Sequence, residues 1–220
     1  LPEAPCPDGS FATPGDTQCR PIGVSQCGAG MVEDGAGGCT VTLPAAPCGP
    51  GERAAVGDAT CIPPPGCGTG RWGDRVTTAA TVHVAADASH LSPDGSAALP
   101  YASLQEAVDA APAGGHIVLA EGTYRAAIRL EKPLTIEGRC PTRVTLEGAT
   151  LVGGPQPPLS LLSGASQTTL RGVRITGEGN GLDVSGATGV VLEDVRILDT
   201  GGTGVRVAGA AEVTLRRTVV

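Results

Sequence analysis

Residues 101–138 read YASLQEAVDAAPAGGHIVLAEGTYRAAIRLEKPLTIEG, and the order of their signals decides the fold. Ser103-Leu104-Gln105-Glu106 has the form of a capping box, with the Ser hydroxyl taking the amide of Glu106 while Glu106 reaches back to the Ser amide. A helix is therefore expected from Leu104, with Leu104, Ala107, Val108 and Ala111 as its apolar stripe and Pro112 with Gly114-Gly115 as its stop. Short apolar runs follow at Ile117–Leu119, Ala127–Leu130 and Leu134–Ile136, parted by Gly122-Thr123 and Lys132-Pro133, which read as strands joined by tight corners.

Downstream the same grammar becomes a repeat. TTLRGVRITGEGNGLDVSGATG starts at Thr168, VVLEDVRILDTGGTGVRVAGAAE follows, and VTLRRTVV opens a third copy. Leu170, Leu192 and Leu215 align, as do Val173 with Val195, Ile175 with Ile197 and Val220, Gly181 with Gly204, and Val184 with Val207. A period of about 22 or 23 residues, made of short strands and Gly corners, is one coil of a parallel β solenoid whose apolar residues lie on those of the coil below. Val82–Ala86 reads as an earlier strand, and Ser92-Pro93-Asp94-Gly95 as a turn.

The N-terminal part is built differently. Seven of the eight cysteines fall within the first 67 residues, and CPDGSFATPGDTQC, CGAGMVEDGAGGC and CGPGERAAVGDATC superpose with their leading cysteines 21 residues apart. This favours Cys6 with Cys19, Cys27 with Cys39 and Cys48 with Cys61, which leaves Cys67 for Cys140. Zinc is the competing use of cysteine, but none of these spacings gives the close ligand pairs of a zinc site. The expected organisation is thus a Cys-rich region over 1–66, a linker over 67–81 and the solenoid over 82–220. Bridge formation places the protein in an oxidising compartment, outside the cell, at its surface or in the periplasm.

Composition narrows the function classes. A formal charge of −7 argues against a general nucleic-acid binder, and no apolar run has the length of a membrane span. Phe11, Trp72, Tyr101 and Tyr124 are the only aromatics, so the core must be aliphatic, as suits narrow coils. The chain opens at Leu1 without Met and reads as a mature or trimmed product, and Val220 falls inside the third repeat copy, so the chain is expected to continue.

The run SLQEAVDAAPAGGHIVLAEGTYRAAIRLEKPLTIEG within residues 82–220 resembles the opening of secreted bacterial right-handed parallel β-helix proteins, the pectate-lyase-like group. The Cys-rich leader with CGTGRWGD, and GRCP further on, is similar to what precedes such domains in bacterial surface proteins. The resemblance implies an all-β right-handed parallel β-helix, a capping α-helix over its first coil and substrate grooves on a β face. It supplies no active site, since neither the aspartate motifs of polygalacturonases nor those of pectin methylesterases occur, and the calcium-binding aspartates and catalytic Arg of pectate lyases have no clear counterpart.

Aligned coils put outward side chains opposite one another. Arg171, Glu193 and Arg216 form one column, Asp194 and Arg217 another, and Asp183 and Arg206 a third, which is ordinary pairing for a solvated sheet face. Arg174 and Arg196 stack like on like. With Arg171 and Arg216 beside them they make a basic strip that could hold the carboxylates of an acidic polysaccharide, unless corner carboxylates such as Glu178 or Asp199 occupy them first. Gly179–Asp183 imitates a calcium-binding repeat only weakly, because the next coil replaces Asp183 by Arg206. Gly68-Thr69-Gly70-Arg71-Trp72-Gly73 satisfies G-x-G-x-x-G but lacks the preceding strand and following helix of a dinucleotide site, and Trp72 reads as a plug between the Cys-rich region and the β domain, with a sugar platform as the alternative if it is exposed. His83, His90 and His116 stand singly and read as packing or surface residues, and the one Asn, Asn180, forms no glycosylation sequon. No metal and no cofactor is expected. The leading functional expectation is an extracellular or cell-surface binding or structural scaffold, with a polysaccharide lyase or other carbohydrate-active enzyme acting on uronate-containing glycans as the alternative, in which Arg174 and Arg196 would neutralise charge.

Overall fold

A computed structural model describes residues 5–7, 9–15, 17–21, 23, 26–35, 37–49, 52, 54, 57–62, 66–209 and 212–220. Pro63-Pro64-Pro65 and eight positions within the Cys-rich repeats lie outside the described residues. The chain divides into two compact units, Leu1–Pro64 and Pro65–Val220.

The first unit is held by the bridges Cys6–Cys19, Cys27–Cys39 and Cys48–Cys61, the local pairing that the repeat favours. Among the described residues, its regular structure is two antiparallel ribbons, β1 (Ser10–Phe11) with β2 (Arg20–Pro21) and β3 (Met31–Glu33) with β4 (Cys39–Val41). Phe11, Met31, Val32, Val41 and Leu43 are exposed, so the unit has little interior. A loop of this length closed by a bridge is stabilised by about 3 kcal/mol through the unfolded state.

The second unit is a parallel β-helix. It starts with β5 (Val82–Val84) and the helix α1 (Leu104–Ala110), which buries Leu104, Ala107 and Val108 over the first coil. Ser103 caps α1 as expected, but its hydroxyl takes the amide of Gln105 at 3.2 Å rather than that of Glu106. At the other end Lys132 donates to the carbonyls of Ala111 at 2.5 Å and Asp109 at 3.4 Å, a cation on otherwise unpaired helix carbonyls.

The first coil runs β6 (Gly115–Leu119), β7 (Gly122–Ala126) and β8 (Ile128–Leu130). The second runs β9 (Leu134–Gly138), β10 (Val144–Gly148), a protruding antiparallel ribbon of β11 (Thr150–Leu151) and β12 (Gly154–Pro155), and β13 (Leu159–Leu161). The third is β14 (Thr169–Arg171), β15 (Arg174–Gly177) and β16 (Leu182–Ser185), and the fourth β17 (Val190–Glu193), β18 (Arg196–Thr200) and β19 (Val205–Ala208), with β20 (Val213–Arg216) beyond. Three sheets result. Face 1 is β5-β6-β9-β14-β17-β20, face 2 is β7-β10-β15-β18 and face 3 is β8-β13-β16-β19, each parallel throughout.

Register is set by inward ladders, aliphatic except at Tyr124: Ile117, Ile136, Leu170 and Leu192 on face 1, Tyr124, Leu146, Ile175 and Ile197 on face 2, and Ile128, Leu159 and Leu182 on face 3, all buried. One expected corner is part of a strand. Gly122-Thr123 begins strand β7, and Tyr124 points inward, its hydroxyl donating to the carbonyls of Ala120 at 2.8 Å and Val84 at 3.1 Å. Burial raises the Tyr124 phenol well above its ordinary range.

Residues 67–81, expected as a linker, belong to the second unit, and Cys67 is bridged to Cys140 there. The glycines of the G-x-G-x-x-G run shape this strap. Gly68, Gly70 and Gly73 all have positive φ, and a Cβ on Gly73 would lie 2.6 Å from the Cys67 carbonyl oxygen and 3.0 Å from the Arg139 side chain. Arg139 donates to the carbonyls of Cys67 at 2.9 Å and Gly68 at 3.0 Å, so the loop closes on a guanidinium rather than on a phosphate.

Candidate functional site

Among the described residues, face 2 carries a groove of about 780 Å³ lined by Arg125, Glu147, Thr150, Glu178, Asp199 and Thr200 with the intervening glycine corners. Its walls are strand ends and the corners from face 2 to face 3. Gly177 and Gly201 let those corners stack closely, since a Cβ would meet the Gly148 amide nitrogen at 2.9 Å and the Glu178 carbonyl oxygen at 2.1 Å. The ribbon β11–β12 rises beside it, with Val152 fully exposed at its tip.

A bulge places Asp199. Ile175 pairs with Ile197 but Gly177 pairs with Thr200, so β18 carries one residue more than β15 over this stretch. Asp199 takes up the difference in the left-handed region, at φ 55°, which Asp tolerates better than most residues. Its carboxylate is thereby turned onto the Arg174 guanidinium. Along the same groove Glu147 accepts from Arg125 Nε at 3.1 Å, and Glu178 accepts from the Thr150 hydroxyl at 3.2 Å. Arg125 with Glu147, Thr150 with Glu178 and Arg174 with Asp199 are thus oriented across adjacent coils, while the Thr200 hydroxyl donates to the Gly202 carbonyl of its own corner.

Face 1 presents a ladder of ion pairs. Glu137 accepts from Arg75 of the strap at 2.9 Å, from His116 Nε2 at 3.0 Å and from Arg171 at 3.4 Å. Arg171 continues to Glu193 at 2.6 Å, Glu193 to Arg217 at 2.5 Å and Arg217 to Asp194 at 2.7 Å. Burial alone would raise the Glu137 and Glu193 carboxyls, but these donors and cations hold both below the ordinary glutamate value.

The four arginines of the expected basic strip are divided by the corner at Gly172. Arg171 and Arg216 lie on face 1, while Arg174 and Arg196 lie opposite one another on face 2. Arg171 and Arg174 are held by carboxylates, and Arg196 also has an interaction partner. Arg216 is exposed, and its expected partner Glu193 is taken by Arg217. The Asp194–Arg217 and Asp183–Arg206 columns form as expected. Asp183 receives Arg206 through two bonds, at 3.1 and 3.0 Å, and Asn180 at 2.9 Å, so the calcium-like motif is filled by side chains.

Two of the histidines expected to stand alone have specific neighbours, His116 in the Glu137 cluster and His83 against Trp72. Glu137 lies on the strand of the next coil, but no sequence spacing brings in Trp72 and Arg75, which reach face 1 only after folding. The bulge did leave a signal: the repeat period is 22 at Ile175 to Ile197 but 23 at Gly181 to Gly204, which requires one extra residue between Ile197 and Gly204.

Among the described residues, no group of three or more His, Cys, Asp or Glu is placed to hold a metal ion, and no helix is long and apolar enough to cross a membrane. Four disulfides fit an oxidising environment outside the cytoplasm. No curated protein matches the chain. Residues 88–217, more than half of the chain, match the model of a family described as a protein of unknown function, DUF1565, and with its stack of parallel coils the chain belongs to that family.

Proposed function

We propose that this is a secreted or envelope-exposed glycan-binding scaffold, in which the β-helix holds a hydroxyl-rich chain along face 2. The observation that carries this reading is the groove beside β11–β12, whose donors and acceptors are fixed in advance by neighbours in adjacent coils. Polar groups oriented before binding lose little freedom when a ligand arrives. Carboxylates and guanidinium groups on rigid strands are suited to sugar hydroxyls, which both donate and accept.

Charge refines the ligand. Glu147, Glu178 and Asp199 face Arg125 and Arg174, so a uronate entering here would have to displace Asp199 from Arg174. The geometry therefore favours a neutral chain over the acidic polysaccharide suggested by the arginine column alone. The resemblance to pectate-lyase-like β-helices supports a glycan as the partner class and a bacterial envelope as the setting.

The test is to incubate the oxidised protein with neutral and uronate-containing polysaccharides, scoring retention and new chain ends together. Retention of a neutral chain, weakened by Glu178→Ala and without new ends, is the expected result. Unsaturated ends on a uronate polymer would replace the scaffold reading by a lyase, and retention of none of them would remove the glycan reading.

A further inference from the structure

The strap over residues 67–81 lies on the outward face of face 1, where the one Trp of the chain meets a buried histidine. His83, on β5, is 4% exposed, and its ring centre lies 4.6 Å from that of Trp72 at an interplanar angle of 63°. Its Nδ1 is 3.3 Å from the Gly95 carbonyl oxygen, while its Nε2 is buried with no hydrogen-bond partner. A neutral imidazole donating through Nδ1 suits this site. An imidazolium would carry a second N–H with nothing to receive it, and a buried unpaired charge is among the costliest features a fold can hold.

The surroundings offer the charge backbone acceptors at Gly95 and Thr81 but no carboxylate, and burial outweighs them. On the strap, the Arg71 guanidinium stands 5.6 Å from the Trp72 ring centre and is paired with Asp87, so this pair brings no net negative charge to the stack. On the neighbouring strand β6, His116 is a second group that can become positive, and the carboxylate it meets, Glu137, is already shared with Arg75 and Arg171. In the loop that supplies Gly95, the Asp94 carboxylate accepts from the Ser96 amide at 2.8 Å.

We infer that the strap is a proton-sensitive cover: protonation of His83 detaches Trp72 and uncovers the first coils of face 1, while the rest of the β-helix stays folded. The sign follows from linkage. Burial lowers the affinity of His83 for a proton in the closed form, so as the pH falls through and below the ordinary histidine value the open form, where the ring is hydrated, gains protons and population. The opening is bounded. The Cys67–Cys140 bridge retains one end of the strap, and Arg75 on Glu137 is a second latch that releases only when the carboxylate is protonated at much lower pH. A mildly acidic compartment would thus lift Trp72 without freeing the strap.

Trp72 reports directly, being the only Trp in the chain. The experiment follows its emission and its quenching by iodide in the full oxidised protein from about pH 8 to about pH 5, with far-ultraviolet circular dichroism alongside. The expected result is a reversible red shift and a rise in quenching, with a midpoint below about 6.5 and an unchanged β signal. The transition should vanish in His83→Gln and persist in His116→Gln. Constant emission and quenching, a transition that survives His83→Gln, or one that coincides with loss of the β signal would each overturn the inference. Should His83→Gln fail to fold, the ring-proton titration of His83 in the unaltered protein decides: a midpoint at or above about 6.5 overturns it and a lower one supports it.

Discussion

The two units reach a fixed conformation by opposite routes. In Leu1–Pro64 the large apolar residues Phe11, Met31, Val32, Val41 and Leu43 remain exposed, and bridges span 12 or 13 residues each. In Pro65–Val220 the inward ladders are almost wholly buried. The first unit is ordered by restricting its unfolded chain, the second by removing apolar surface from water. Reduction should therefore separate them more sharply than any substitution. Three bridges at about 3 kcal/mol each are most of what a unit without a core has. Under reductant, amide exchange over residues 5–62 should become complete, while the inward strands from β6 to β18 keep their protection. The second unit loses its own bridge, Cys67–Cys140, and relies on its ladders. Loss of protection in both units together would show that the core is not self-sufficient.

The next test lies inside the second unit. Ile175 on β15 is 0% exposed, whereas Leu151 on the ribbon strand β11 is 54% exposed. Ile175→Ala, deep in the face 2 ladder, should cost about 2–5 kcal/mol, whereas Leu151→Ala should cost clearly less. Denaturant midpoints of the second unit measure both, and equal costs would remove burial as the source of stability.

This contrast also explains what could be read in advance. The ladders were legible because each coil repeats the same spacing, so Leu170, Leu192 and Leu215 align by counting and pair as counted. The bridges were legible because each of the first three closes inside one repeat. Strand β7 was missed because Gly122-Thr123 has the composition of a corner, and its place as a strand is set by pairing with Val144 and Thr145 of the next coil. The arginine strip looked continuous because sequence alignment does not say where one face turns into the next, and Gly172 puts a corner between Arg171 and Arg174. The groove depends on a bulge and an inserted ribbon, both departures from the repeat, and a reading built on the repeat overlooks departures.

Polar networks give a smaller effect with a definite pH signature. Glu137 has a side chain 9% exposed and three donors, so Glu137→Gln should destabilise the second unit by about 2–3 kcal/mol at neutral pH by leaving Arg75, Arg171 and His116 short of a charge partner. Because Glu137 and Glu193 titrate below their ordinary value of 4.5, their contribution is complete above that pH and is lost as the pH falls through the lower folded-state values. The variant should lose less stability than the unaltered protein over that acid range. Parallel acid curves for the two would detach the ladder from the pH dependence.

The smallest effect should come from the pair on the other face, where exposure differs and function is proposed. Arg174 and Asp199 have side chains 39% and 74% exposed, so water screens their attraction, and Arg174→Ala should change stability by less than about 1 kcal/mol. The left-handed bulge at Asp199 would then hold a carboxylate that no longer has Arg174 to neutralise it. If face 2 binds a neutral chain, Arg174→Ala should alter retention only modestly and Glu178→Ala more, because Glu178 is engaged by a hydroxyl rather than a guanidinium and is free to accept more. A large loss of retention with Arg174→Ala at unchanged stability would instead return the arginine column to the centre of recognition. Measuring stability and retention on the same Arg174→Ala sample separates a surface pair that merely decorates the coil from one that meets the ligand.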